Sequence, residues 1–131
     1  MKLVEELARR NLSISDVRFA FSNAGCGAYR RFGSTSLEDK IQFLNLNYTS
    51  HLLVVDQFDS LFDRCTICVT SSMLAFTPGP GFVEYYTAKS GLYEYFRNFR
   101  SVNENKVCVL CPCGVRGTNF YLNPLMRLKN G

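Results

Sequence analysis

Residues 66–89 read TICVTSSMLAFTPGPGFVEYYTAK, and this stretch decides the fold. Its first five residues are dense in Thr, Ile, Cys and Val without strict alternation of apolar and polar positions, which is how a strand buried on both faces reads. Pro78-Gly79-Pro80-Gly81 then forces a turn, and from about residue 83 to residue 100 the spacing becomes helical, with Ala88, Leu92, Tyr95 and Phe99 on one stripe. Two more β-rich runs, 17–21 and 107–111, flank this unit. Between the first and second runs lies another helical segment. It opens at Ser36, a good N-cap, with Glu38 and Asp39 in the first turn where the helix dipole favours negative charge. Leu37, Ile41, Leu44, Tyr48, Leu52 and Val55 recur along it every three or four residues, so this stripe is expected to pack on the sheet. Both connections are long enough for the crossovers that parallel strands need. The expected fold is therefore α/β: three adjacent parallel strands in the order 1-2-3, with both helices on one side.

Composition fits one ordinary core. The chain has 131 residues, 47% of them hydrophobic, with 7 Tyr and 11 Phe but no Trp. Its net charge of +4 is spread along the sequence, with Arg9-Arg10 and Arg30-Arg31 the only basic doublets, so no nucleic-acid partner is expected. Residues 1–14 alternate charged and apolar positions as an amphipathic helix does and lack the apolar stretch of a signal peptide. No segment approaches the ~20 apolar residues that span a bilayer. A cytoplasmic location is expected, where the six cysteines would be reduced.

Tyr85 and Lys89 stand four apart at the start of the second helix, so their side chains share a face. An ammonium beside a phenol favours the phenolate, and such a tyrosine can give or take a proton at a carbonyl or alcohol. YxxxK alone is a weak signal, but its setting sharpens it. Ser72 ends the second strand thirteen residues earlier, at the carboxyl edge where open α/β sheets place their sites. Asn23-Ala24-Gly25 follows the first strand, Asn47 lies on the first crossover helix, and Pro112-Cys113-Gly114-Val115 with Thr118 follows the third strand.

This ordered set resembles the short-chain dehydrogenase/reductase family, over about residues 14–120. Ser34-Thr35-Ser36-Leu37-Glu38-Asp39 and Phe76-Thr77-Pro78-Gly79-Pro80 resemble one oxidoreductase subgroup in particular. The resemblance implies a Rossmann-like layer forming a single partial domain over residues 1–131, and hydride transfer between NAD or NADP and a small-molecule alcohol or carbonyl substrate. It assigns Tyr85 as general acid/base, Lys89 as the group that lowers the tyrosine pKa and holds the nicotinamide ribose, and Ser72 as the hydrogen bond to the reacting oxygen. Asn47 would anchor a water in the proton relay. Asn23, Ala24, Gly25, Pro112, Gly114, Val115 and Thr118 would lie on the cofactor side. Self-association through the two crossover helices is implied as well.

The departures carry expectations of their own. The family opens with a strand and a TGxxxGxG turn that receives the pyrophosphate. The one GxG here, Gly25-Cys26-Gly27, has Arg30 where a third glycine is needed, and reads as a turn. The chain is thus expected to lack the family's first three strands and to supply the fourth to sixth, with its first strand an open edge. Ser22 replaces the usual first Asn, and Cys113 lengthens the turn before Thr118 by one residue. The alternative reading is a non-catalytic truncated fragment or pseudoenzyme that acts only by association with another chain.

Cys65-x2-Cys68 and Cys108-x2-Cys111 have zinc-ribbon spacing. They fall in or beside strands, however, where a separation of three points side chains to opposite faces, so small buried hydrophobes and no metal are expected. His51 is the sole histidine and has no evident acid or nucleophile partner; a structural role is expected for it. Asn11-Leu12-Ser13 and Asn47-Tyr48-Thr49 fit the glycosylation acceptor, which has little weight without a secretory signal.

Overall fold

Three short strands, Phe19–Ser22 (β1), Thr66–Thr70 (β2) and Val107–Leu110 (β3), form a parallel sheet in the order β1-β2-β3. The structure is a computed structural model that describes residues 2–27, 29, 33–62, 64–77, 79–102, 106–117 and 120; Thr118 and Pro78 lie outside the described residues. In register, Ala20, Ile67 and Val107 stand side by side, as do Ser22, Val69 and Val109. Neighbours in a parallel ladder share a face, so these residues form one side of the sheet.

Two helical crossovers cover that side. The first crossover is α2 (Leu37–Leu44), a wide π turn over Asn45–Thr49, and α3 (Ser50–Leu61). The second contains α4 (Val83–Val102). Val55 from α3 meets Leu92 and Phe96 from α4 over Ile67, Val69 and Val107, and all six are buried. Both helices therefore pack on the same face, and each buried side chain of this size contributes about 1.5–3 kcal/mol. Ser36 caps α2 as expected, its hydroxyl accepting the Asp39 N–H at 3.1 Å.

The stripe on the first crossover is displaced from its expected position. Leu37 is 73% and Ile41 45% exposed, and the inward side chains are Phe43, Asn47, His51 and Val55. The π turn is the reason: Ser50 N–H reaches back five residues to the Asn45 carbonyl, and the extra residue rotates α3 relative to α2. Tyr48, Leu52 and Val55 do pack on the core. On α4, Phe96 takes the buried place and Tyr95 is exposed.

Near the N-terminus the helix is shorter than expected, Lys2–Arg9 (α1). Asn11 adopts φ +54, and the Leu12 and Asn11 N–H groups close back on the Leu7 and Ala8 carbonyls, a left-handed stop that Asn tolerates. Val17 follows a 3-10 turn at Ile14–Asp16, which delays β1 to Phe19. On the sheet face away from the helices, Phe19 and Phe21 are exposed and stack at 6.5 Å. No helix of the described residues is long and apolar enough to cross a membrane.

Candidate active site

The carboxyl end of β2 supplies two serines with different tasks. Strand alternation turns Ser71 to the helix side with Val69, where its buried hydroxyl donates to the Lys89 carbonyl at 2.8 Å and its N–H bonds the Leu110 carbonyl. This fastens α4 to the strand end. Ser72, one residue on, is extended and caps a 3-10 turn over Met73–Ala75, its hydroxyl oxygen accepting the Leu74 N–H at 3.1 Å. An oxygen held that way keeps its own O–H free to donate elsewhere.

Tyr85 and Lys89 lie on the first turns of α4 and both are inward, 6% and 3% exposed. The Tyr85 ring meets Phe120 edge-on at 5.8 Å. Lys89 Nζ stands 5.9 Å from the Tyr85 ring centroid and donates to the Thr70 carbonyl at 2.9 Å. Burial pushes the Lys89 ammonium down to about 8, with nearby Cys26 acting in the opposite direction. The lysine still carries its proton for the most part at neutral pH.

Behind these groups stands Asn47, fully buried in the π turn. Its Oδ1 accepts the Cys26 N–H at 3.1 Å, and its Nδ2 donates to the Phe43 carbonyl at 3.1 Å and lies 3.8 Å from Cys26 Sγ. The loop after β1 is thereby drawn onto the helix, and Gly25 is what permits it. A Cβ there would sit 3.0 Å from Asn47 Oδ1 and 3.6 Å from Lys89 Nζ. His51, one turn beyond Asn47, is buried, with Nδ1 2.7 Å from the Ser22 hydroxyl. Its Nε2 has no hydrogen-bond partner within ordinary distance among the described residues, although the Ala24 and Ser22 backbone groups favour its protonated form. Burial first, then the Lys89 charge, push it down to about 4, so the imidazole is neutral.

Asn23, Gly25, Ser72, Tyr85, Lys89, Pro112, Gly114 and Val115 all line one cavity of about 640 Å³ at the carboxyl edge of the sheet. Met73 N–H bonds the Pro112 carbonyl, which joins two of its walls. Asn47 and Ala24 do not line it. Sequence reading passed over Ser71, the Thr70 carbonyl, Leu74, Phe82 and Phe120, which also shape the site. Strand alternation from Val69 would have found Ser71, and three-residue spacing before Tyr85 would have found Phe82.

Cys65 and Cys68 are buried, Cys108 and Cys111 half-buried and Cys113 exposed, so the expectation of buried thiols holds for the first pair only. Val107 takes the inward place beside Cys108, and Cys111 and Cys113 lie beyond the end of β3. Among the described residues no group of three or more His, Cys, Asp or Glu is placed to hold a metal ion.

The residues present fit the nicotinamide-ribose end of a dinucleotide. Lys89 gives one N–H to Thr70 and keeps two donors for ribose hydroxyls, and the side-chain-free Gly25 lets a ligand approach closely beside it. The sequence holds no TGxxxGxG turn that would seat the pyrophosphate.

In fold, the chain is similar to an alcohol dehydrogenase from the archaeon Thermococcus sibiricus solved with 5-hydroxy-NADP, at TM-score 0.74 and 22% identity over 88% of this chain and 48% of that one. It is also similar to the angucycline C-6 ketoreductase LanV with bound NADP, at TM-score 0.77 and 20% identity over 93% and 49%. A third similar structure is a short-chain dehydrogenase/reductase from Burkholderia phymatum in complex with NAD, at TM-score 0.66 and 22% identity over 86% and 43%. The chain spans about half the length of these proteins. No curated protein matches it in sequence. The family model described as short chain dehydrogenase matches residues 2–122, nearly the whole sequence, and the chain belongs to the short-chain dehydrogenase family.

Proposed function

We propose that this chain carries the proton-transfer site of an NAD(P)-dependent oxidoreductase that interconverts an alcohol and a carbonyl, with Tyr85 as general acid/base. The observation that carries the proposal is the meeting of Ser72, Tyr85 and a buried, partly desolvated Lys89 on one cavity. When bound, the nicotinamide supplies or takes the hydride at the reacting carbon. Ser72, its oxygen occupied by the Leu74 N–H, donates its O–H to the reacting oxygen. Tyr85 gives that oxygen a proton during reduction and takes it back during oxidation. The Lys89 ammonium stabilises the phenolate left on Tyr85 and hydrogen-bonds the ribose. Because Lys89 is buried, its charge acts strongly there.

Asn47 acts through position, holding the 25–26 backbone beside Lys89. A relay water on its side chain would use the second lone pair of Oδ1. Asn23, Gly25, Pro112, Gly114 and Val115 form the nicotinamide side, and Ala24 and Thr118 complete that side by resemblance. Exposed Leu37, Ile41, Leu53 and Tyr95 on the crossover helices support self-association through them, in the cytoplasm.

The test is NAD(P)H-linked ketone reduction by the chain, alone and with a polypeptide supplying a TGxxxGxG strand-turn-helix. Tyr85→Phe keeps the ring on Phe120 and should lower kcat by about 10²–10⁴-fold. Activity unchanged in Tyr85→Phe refutes the assignment.

A further inference from the structure

The segment between Ser72 and Tyr85 is apolar where it faces the cavity. Leu74 gives its N–H to the Ser72 hydroxyl and belongs to the cluster of Cys26, Phe43 and Tyr85. Phe82 lies one turn before Tyr85, joins the same cluster and bonds the Tyr86 N–H through its carbonyl. Both are half-buried and line the cavity beside Met73. Because these residues flank the two groups that hold the reacting oxygen, whatever is attached to the reacting carbon lies against them.

Phe82 is braced from behind. Tyr29, on the loop after β1, meets its ring edge-on at 5.3 Å. Gly81 has φ +80, and a Cβ there would overlap the Tyr29 ring; only glycine lets that ring come so close. Lys89 is the single charged side chain among the described residues lining the cavity, and the Thr70 carbonyl holds it. Arg116, beside Val115, is exposed and does not line it. A cavity of about 640 Å³ has room for a nicotinamide ring and a second ring system.

We propose that the substrate is an uncharged ketone or secondary alcohol carrying a bulky apolar ring group, selected by Leu74 and Phe82, with Tyr29 a positioning residue behind Phe82. A charged or polyhydroxylated substrate would leave its polar groups unpaired against Leu74 and Phe82. This inference rests on the reading of Ser72, Tyr85 and Lys89 as the reacting end.

The test measures binding and turnover separately, with 2-acetonaphthone, dihydroxyacetone and pyruvate as probes. Binding is followed by ligand-observed NMR in the presence of NADPH. The naphthyl ketone should bind at least about tenfold more tightly than the other two, and Phe82→Ala should weaken it about tenfold. Phe82→Leu should give a smaller loss with an unchanged far-ultraviolet spectrum. Tyr29→Ala should weaken the ketone while leaving NADPH titration unchanged, and Tyr29→Phe should restore it. Equal or tighter binding of dihydroxyacetone or pyruvate overturns the inference, as does a Phe82→Leu or Phe82→Ala protein that folds and binds the ketone as before. Ketone binding without turnover, even when a polypeptide supplying a TGxxxGxG strand-turn-helix is added, leaves this inference standing and refutes the catalytic reading. Turnover of dihydroxyacetone that Tyr85→Phe abolishes does the reverse.

Discussion

Replacing Lys89 with Met should make the protein more stable at neutral pH. Lys89 is 3% exposed, and its hydrogen-bond partner among the described residues is the Thr70 carbonyl. Burial lowers it from 10.5 to about 8. At about 1.4 kcal/mol per unit, that difference is about 3 kcal/mol of cost for keeping the ammonium in the folded state. Below pH 8 the lysine is charged in both folded and unfolded chains, so the whole cost is present. Between about 8 and 10.5 the unfolded chain binds more protons than the folded one, and stability attributable to this residue rises with pH. Methionine fills the same space without a charge but forfeits the bond to Thr70, worth about 1 kcal/mol. The expected gain at pH 7 is therefore about 2 kcal/mol, shrinking toward pH 10. Cys65, Cys68 and Cys111 complicate the absolute curve, since burial raises each thiol and that contribution is lost as pH climbs past 9. The difference between the two proteins cancels them. Urea unfolding of both at several pH values from 6 to 10 measures it. A Lys89→Met protein less stable than its parent at pH 7, with a gap that ignores pH, would refute the reasoning.

Asn47→Ala should cost about 2–4 kcal/mol, because it strands the Cys26 N–H in a fully buried place; a loss under about 1 kcal/mol in chemical denaturation contradicts the role given to Asn47. His51, held down at about 4, should show no imidazole titration by NMR between pH 8 and 5. It should erode stability as pH falls from 6.5 toward 4, where only the unfolded chain gains the proton, and a midpoint near 6.5 would mean the ring is exposed. Purified protein should hold no stoichiometric zinc and keep its circular dichroism in a chelator. About one zinc per chain by elemental analysis, with unfolding on chelation, would turn the CxxC pairs into a metal module.

The sheet was legible because its strands are short β-rich runs separated by helical spacing, and parallel crossovers leave few topologies open. Ser72, Tyr85 and Lys89 were legible because a strand end and an i, i+4 helical pair fix where side chains go before any tertiary packing is known. The face of the first crossover was not, because the π turn that carries Asn47 inward breaks the 3.6-residue period, and Leu37 and Ile41 mimic an inward stripe. Nor were the contacts made across loops. Asn47 to Cys26, Tyr29 over Gly81 and His51 to Ser22 join residues far apart in sequence, and no local spacing announces them. His51 drew no partner from the sequence for that reason, and its partner proves to be the serine that stands at the end of β1.

Label transfer tests the central claim most directly. NADPH deuterated at the reactive face of nicotinamide C4 is incubated with 2-acetonaphthone and the chain, alone and with a co-expressed strand-turn-helix bearing TGxxxGxG. Seating of the pyrophosphate contributes much of a dinucleotide's affinity and fixes its geometry, so the chain alone should transfer little label. The complemented chain should place deuterium on the carbinol carbon, and Tyr85→Phe should abolish the transfer. No deuterium in the alcohol from either preparation, or equal transfer by Tyr85→Phe, would contradict the account and leave a chain that acts only through association.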